Sequence, residues 1–296
     1  MTKLSCVVPA YNEAESLPHL WAALKPVLQQ FSAWELIIVS DGSTDATVAI
    51  ARELAQSESR ISVIDLRRNQ GKSAALMAGF IATSGDIVVT LDADLQDDPL
   101  EIPKLITALE EQNVDMVGGW KQHRHDPFVK VISSKVFNGL ANQAMGTNFH
   151  DLNCGLKAYR SEVVKSLDLY GDLYRFIPLL ATAQGWKAIE LPVTHHPREH
   201  GVSKYGLRLN GAFDLLSLLL ITRYRWRPLH FFGRWGAVLF GIGIFILAYL
   251  SIVHFMGQAI GDRPLLIFGM LFVLAGFQLF FTGLLGDLIV QQRHKK

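Results

Sequence analysis

Four carboxylates crowd the stretch "IVVTLDADLQDDP" at 87–99: Asp92, Asp94, Asp97 and Asp98. Like charges that close repel, so either solvent screens them, as in an ordinary acidic loop, or a cation holds them. Asp92 and Asp94 stand two apart where an apolar run ends, with Gln96 two further on. If the extended backbone persists, the three side chains project the same way. Two carboxylates and an amide oxygen form an incomplete hard-oxygen set suited to Mg²⁺ or Mn²⁺, with ligand phosphates completing the shell. The spacing is not that of an EF-hand loop, which requires Gly at its sixth place and a closing Glu.

Two other motifs suggest chemistry they do not carry. "NQGKSA" ends like a Walker A loop, but the required earlier glycine is Leu66; Lys72 still has the reach of a phosphate contact. His196 and His200 are spaced like zinc ligands, but Pro197 lies between them and no cysteine pair accompanies them. Cys6 and Cys154 lack metal-type spacing and are expected to be buried, reduced thiols.

The elements that must position the carboxylates alternate. Apolar, β-branched runs at 4–10, 35–41, 61–66 and 86–93 are separated by helix-like stretches near 14–30, 45–57, 72–83 and 99–112, and "DMVGGW" at 115–120 reads as a further strand. Short strands that are apolar on both faces, alternating with helices, predict a parallel sheet covered on both sides. Ligands of such sheets sit outside the carboxyl ends of the strands. There the sequence places Tyr11 to Glu13, Asp41 to Asp45, Arg67 to Asn69 with Gly71, and Asp92 to Asp98.

The chain has 296 residues and a formal net charge of +1, which argues against a nucleic-acid partner. The stretches 235–256 and 264–286 hold no Asp, Glu, Lys or Arg, and each is long enough to cross a hydrocarbon core of about 30 Å. They predict a transmembrane hairpin. Arg223, Arg225, Arg227 and Arg234 precede it and Arg293, Lys295 and Lys296 follow it, whereas the connecting loop carries only Asp262 and Arg263. The positive-inside rule then puts both termini and the large N-terminal domain in the cytoplasm. The N-terminal apolar run is too short for a signal peptide. The expected organisation is a catalytic domain over 1–210, an interfacial amphipathic region over 211–234, the hairpin over 235–290 and a tail over 291–296. Gly233, Ala237 and Gly241, at four-residue spacing, predict close helix packing within the chain or with a second copy, hence homo-oligomers. Gln278 is expected to bond a neighbouring helix.

"VVPAYNE", "VSDGSTD", "NQGKSAAL" and "LDADLQDDP", in this order, resemble the signature of family-two glycosyltransferases of the GT-A fold. "HRHDPFVKVISSKVFN", "DLNCGLKAYR", "RFIPLLA" and "REHGVSKYG" extend the resemblance to the polyprenyl-phosphate glycosyltransferases, which include dolichol-phosphate mannose synthases, bactoprenol glucosyltransferases and undecaprenyl-phosphate aminoarabinose transferases. The resemblance implies a Rossmann-like, mostly parallel α/β domain that transfers a sugar, with inversion, from a nucleotide donor to a membrane polyprenyl phosphate.

Carried onto this sequence, the resemblance assigns Pro9, Ala10, Tyr11, Glu13 and Asp41 to the nucleotide. Asp92, Asp94 and Gln96 hold Mg²⁺ or Mn²⁺, a Lewis acid for the departing diphosphate. Arg198, Ser203 and Lys204 lie on a loop that closes over that diphosphate, hinged at Gly201 and Gly206. Arg124, Lys130, Ser133 and Ser134 face the acceptor phosphate, and Asp94 and Asp151 stand near the reacting centre. UDP-sugars are favoured and GDP-mannose stays open. A processive polysaccharide synthase would need more spans and a Gln-x-x-Arg-Trp motif; here Arg225-Trp226 follow Thr222 rather than Gln. A non-catalytic nucleotide-binding protein would show losses at the metal or acceptor motifs, and none are seen.

Overall fold

The computed structural model describes residues 2–122, 138–143, 145–197, 216–218, 220, 222, 224 and 227–294. The chain forms two compact units, divided between Leu215 and Leu216.

The first unit is built on a seven-stranded sheet. Its strands are β1 (Lys3–Ala10), β2 (Ala33–Ser40), β3 (Ile61–Asp65), β4 (Ile87–Thr90), β5 (Met116–Lys121), β6 (Lys157–Arg160) and β7 (Ala188–Val193), in the spatial order β3-β2-β1-β4-β6-β5-β7. Strands β1 to β4 pair in parallel, as the alternation predicts. The helices are α1 (Ser16–Leu28), α2 (Thr47–Ser57), α3 (Lys72–Ala82), α4 (Ile102–Glu111), α5 (Ser161–Ser166) and α6 (Ile177–Ala183).

The alternation of side chains along β1 and β2 sets the layers. Leu4, Cys6 and Val8 join Leu36 and Ile38 in a core with Leu17, Leu20 and Leu24 of α1 and Leu105 and Leu109 of α4. The intervening Val7 faces Gly79 of α3 on the other side. Both thiols are buried and free, as expected, and burial pushes that of Cys6 up to about 12.

The sheet is not wholly parallel. β6 lies between β4 and β5 and is antiparallel to both, with Thr90 opposite Lys157 and Gly118 also opposite Lys157. This reversal has a functional consequence: the residues before β6, 151–156, reach the same sheet edge as the carboxyl ends of β1, β2 and β4. β7 pairs parallel to β5, with Lys121 opposite Val193, so residues 194–196 arrive there as well.

In the second unit, α7 (Pro228–Phe255) and α8 (Pro264–His294) form the hairpin. At 1.5 Å per residue, each helix exceeds the roughly 30 Å of a bilayer core. Large apolar side chains stay exposed along both, among them Ile242, Phe245, Ile252, Leu274, Phe281 and Leu285, a pattern suited to lipid rather than to a soluble core. The protein is therefore a membrane protein. α7 starts at Pro228, so residues 228–234 of the expected interfacial region belong to this long helix.

Within the chain, the predicted small-residue stripe does not meet α8 at Ala237 or Gly241. Ala237 and Gly241 are exposed, and a Cβ at Gly241 would meet nothing within 4 Å. The helices instead touch along glycines seven apart. A Cβ on Gly236 or Gly276 would fall 2.8 and 2.7 Å from the opposing backbone, and one on Gly243 would fall 2.7 Å from Val273 N. Gln278 is exposed rather than turned to α7. Asp287, near the end of α8, accepts from Leu229 N at 3.1 Å, and so caps the start of α7.

Candidate active site

The site is assembled where the strands end. After β2, Asp41 turns back and accepts hydrogen bonds from Gln70 N (2.8 Å) and Gly71 N (2.9 Å). Its carboxylate is 4% exposed, so it fixes the turn into α3 from beneath. Gly71 adopts φ +92°, a conformation that glycine takes without strain, and Lys72 opens α3 immediately after it. Glu13, after β1, is tied by Ser16 Oγ to its carboxylate (2.6 Å) and by its own N–H to Thr47 Oγ1 (2.8 Å).

The acidic stretch after β4 does not stay extended. Leu95 takes φ +61°, and Gln96 N turns back to Asp94 Oδ1 at 3.3 Å. The expectation that Asp92, Asp94 and Gln96 project together from an extended strand therefore fails in its backbone premise. Asp92 and Asp94 do share one pocket, and Gln96 is not among its lining residues.

Each crowded carboxylate has its own partner. Asp92 Oδ1 receives Lys72 Nζ at 2.5 Å. Asp97 is buried at 1% exposure, with Lys121 Nζ and His195 Nδ1 each 3.4 Å from its Oδ1. Despite its burial, Lys121 and His195 hold Asp97 well below the usual carboxylate range. Burial alone would lower Lys121, but the carboxylates of Asp97, Asp151 and Asp92 raise it. Asp98 accepts from Leu100 N at 2.9 Å, capping a 3₁₀ turn, and lies 3.3 Å from His196 Nε2. His196 thus pairs with a carboxylate, while His200 lies outside the described residues.

The pocket at this edge has a volume of about 370 Å³ and is lined by Pro9, Ala10, Tyr11, Glu13, Asp41, Asn69, Gly71, Lys72, Ala75, Asp92, Ala93, Asp94 and Asp172. Every nucleotide- or donor-binding candidate among the described residues is in that lining. The lining carries five carboxylates and one ammonium. A diphosphate would not enter such a field unaided, whereas one accompanied by a divalent cation would. The donor set suits a hard cation, since Asp92 and Asp94 line the same pocket. A Cβ at Gly155 would lie 2.5 Å from Asp92 Oδ2, so only glycine leaves that carboxylate its seat.

Asp151 stands apart from this lining. It is 3% exposed; its Oδ1 accepts from Asn153 N (3.0 Å) and its Oδ2 from Lys121 N (3.4 Å). Glu190 on β7 holds it in turn, accepting from Asp151 N (3.2 Å) and His150 N (2.8 Å) and pairing with the His150 ring, which stacks on Trp120 at 4.2 Å. Arg124, Lys130, Ser133, Ser134, Arg198, Ser203 and Lys204 lie outside the described residues.

Sequence reasoning missed Asp172, Gly155, Lys121, Tyr174 and Glu190. Asp172 had a weak signal, the Gly171-Asp172 turn after an apolar stretch. Gly155 and Glu190 are placed by the pairing of β6 and of β7 with β5, Lys121 ends β5, and Tyr174 is fixed by its N–H to Ser73 Oγ; no local pattern announces these long-range contacts.

Comparisons with known proteins identify the family and the fold. Residues 5–168 match the model of Glycosyl transferase family 2. The dodecaprenyl-phosphate galacturonate synthase of Rhizobium johnstonii is 38% identical over 99% of this chain and 89% of its own length. The undecaprenyl-phosphate 4-deoxy-4-formamido-L-arabinose transferase of Edwardsiella ictaluri is 39% identical over 97% and 88%. Among solved structures, glucosyl-3-phosphoglycerate synthase from Mycobacterium tuberculosis, in complex with Mn²⁺, UDP-glucose and glycerol 3-phosphate, superposes with TM-score 0.55 at 25% identity, covering 75% of this chain and 80% of that one. The chain belongs to glycosyl transferase family 2, in the group of polyprenyl-phosphate sugar transferases with a GT-A fold.

Proposed function

We propose that the protein transfers a sugar from a nucleoside-diphosphate donor, most simply a UDP-sugar, to the phosphate of a membrane polyprenol. The carrying observation is the pocket at the strand ends, where five carboxylates face a single lysine. The two relatives at 38 and 39% identity, each named for a polyprenyl-phosphate product or acceptor, support the acceptor class. The Mn²⁺ and UDP-glucose bound by the mycobacterial synthase support a divalent cation and a uridine nucleotide.

In this reading Pro9, Ala10, Tyr11, Glu13 and Asp41 receive base and ribose. Asp92 and Asp94 hold Mg²⁺ or Mn²⁺, with Gln96 as a further ligand once its turn rearranges. The cation's contribution is Lewis-acid stabilisation of charge on the departing diphosphate. Arg198, Ser203 and Lys204 close over the donor, and Arg124, Lys130, Ser133 and Ser134 hold the acceptor phosphate.

A phosphate monoester, with a second pKa of about 6, is already an anionic nucleophile near neutral pH, so proton abstraction adds little. Asp151, steadied by the backbone N–H groups of Lys121 and Asn153, orients the acceptor or acts as a base. Proximity and electrostatics carry the rate. The helix pair anchors the domain with both termini in the cytoplasm, where nucleotide sugars are supplied.

The test is sugar transfer by detergent-purified protein with undecaprenyl phosphate, Mg²⁺ or Mn²⁺, and a panel of UDP- and GDP-sugars, with Asp94→Ala as control. A glycolipid formed from one donor and lost in the variant is the expected result. Metal-dependent nucleotide binding without product from any donor would overturn the acceptor assignment.

A further inference from the structure

Lys72 sits where its charge does two incompatible things. Its Nζ lies 2.5 Å from Asp92 Oδ1, and the two side chains are only 15% and 26% exposed, so they form a part-buried ion pair. Both also line the donor pocket. A divalent cation bound by Asp92 and Asp94 would bring two more positive charges against that ammonium, and the Lys72–Asp92 pair could not persist unchanged.

The lysine is mounted for a short move, not a long one. Its backbone is fixed at the first position of α3 by Asp41, which grips Gln70 N and Gly71 N, and by Ser73 Oγ, which accepts from Tyr174 N at 3.1 Å. The Tyr174 ring lies 5.1 Å from Nζ and offers its face to the cation. The side chain can therefore swing about a fixed root, within a pocket sized for a nucleoside diphosphate.

We propose that Lys72 is the resident counter-ion of Asp92 and releases that carboxylate to the divalent cation only as a donor diphosphate arrives to take the ammonium, so that nucleotide and metal bind as a coupled pair. This inference rests on the reading of the pocket as a nucleotide-sugar and metal site. Lys72 neutralises Asp92 while the pocket is empty, and becomes a phosphate ligand when it is filled. The cation alone competes with Lys72 and binds weakly. The nucleotide supplies the lysine with a new partner and removes the competition. By linkage, metal must tighten nucleotide binding by the same factor.

The experiment measures Mn²⁺ affinity of the full-length protein in detergent by the electron paramagnetic resonance signal of free Mn²⁺, with and without UDP. The wild-type protein is expected to bind Mn²⁺ at least tenfold more tightly when UDP is present. Lys72→Met should bind Mn²⁺ alone severalfold more tightly than wild type while losing most of the tenfold gain, and Lys72→Arg should retain the gain. Wild-type Mn²⁺ affinity indifferent to UDP, with both ligands binding, would overturn the inference whatever the variants do. Lys72→Met that binds Mn²⁺ alone no better than wild type would overturn it as well. Failure of UDP and Mn²⁺ to bind at all would instead overturn the reading of the pocket.

Discussion

Gly155→Ala separates the chemistry of the site from its stability. Gly155 does not adopt a positive φ, so alanine is admissible to its backbone, and its only demand is space. The new Cβ would lie 2.5 Å from Asp92 Cγ and Oδ2 and 2.8 Å from Oδ1. Ordinary contact needs roughly 3.5 Å, so the carboxylate must retreat by about 1 Å. The backbone cannot give instead, because Gly155 O accepts from Thr90 Oγ1 at 2.8 Å and is anchored to β4. What yields is the end of a rotatable side chain, so folding loses little: the Lys72 pair, at about 1 kcal/mol, and an off-rotamer penalty of similar size. For catalysis, a displacement of about 1 Å in a group that positions the donor costs on the order of 100-fold. Mn²⁺ affinity in the presence of UDP and kcat for glycolipid formation should both collapse while the melting temperature stays within a few degrees of wild type. A variant with wild-type Mn²⁺ affinity and turnover would refute the placement of Asp92 in the metal site.

Other substitutions probe the supports. Asp41→Ala leaves Gln70 N and Gly71 N without their acceptor in a half-buried turn, and should cost about 2–3 kcal/mol in a thermal melt while weakening UDP binding. Lys121→Met removes the lysine that pairs with Asp97, which is 1% exposed, and should destabilise by about 3–5 kcal/mol; adding Asp97→Asn should restore much of that. Burial by itself raises the pKa of Glu35, but hydrogen bonds from Ser5, Ser84 and Lys3 outweigh it and hold the carboxyl below its ordinary 4.5. Its contribution is therefore present above pH 4.5 and lost as pH falls through the lower folded value, and Glu35→Gln should flatten the acid limb of a melting-temperature profile. In the hairpin, Gly276→Val should lower thermal stability in detergent by 1–3 kcal/mol on the order typical of overpacking, whereas Gly241→Val should be silent.

The first half of the catalytic domain was legible because its strands are apolar, β-branched runs that alternate with helices and pair in parallel. The expected strands at 4–10 and 61–66 became Lys3–Ala10 and Ile61–Asp65, and the expected helix at 72–83 became Lys72–Ala82. Such strands announce themselves through composition alone. β6 does not: it has four residues, two of them Lys157 and Arg160, and Lys157 is 4% exposed in spite of its charge. β7 is an edge strand carrying Glu190 and Pro192, the features that demote a strand in any pattern. The pocket followed the legible half. Its lining comes mainly from the ends of β1, β2 and β4 and the start of α3, and the residues brought in by the second half were the ones missed. In the hairpin a four-residue stripe and a seven-residue stripe coexist in α7, and only contact with α8 shows which of them joins the two helices.

The crowding of Asp92, Asp94, Asp97 and Asp98 has an electrostatic answer that needs no single cation to hold all four. Asp97 and Asp98 belong to the fold: one is buried against Lys121 and His195, the other caps a turn and meets His196, so both tie the loop to the ends of β5 and β7. Asp94 receives the backbone of Gln96, which keeps the turn at Leu95 closed. Asp92 is paired with Lys72, a side chain that also lines the donor pocket. The loop is thus built before any ligand arrives. Repulsion between Asp92 and its neighbours is offset by an ammonium that a diphosphate can draw away, which makes Asp92 the carboxylate whose charge becomes available at the moment the donor brings its own.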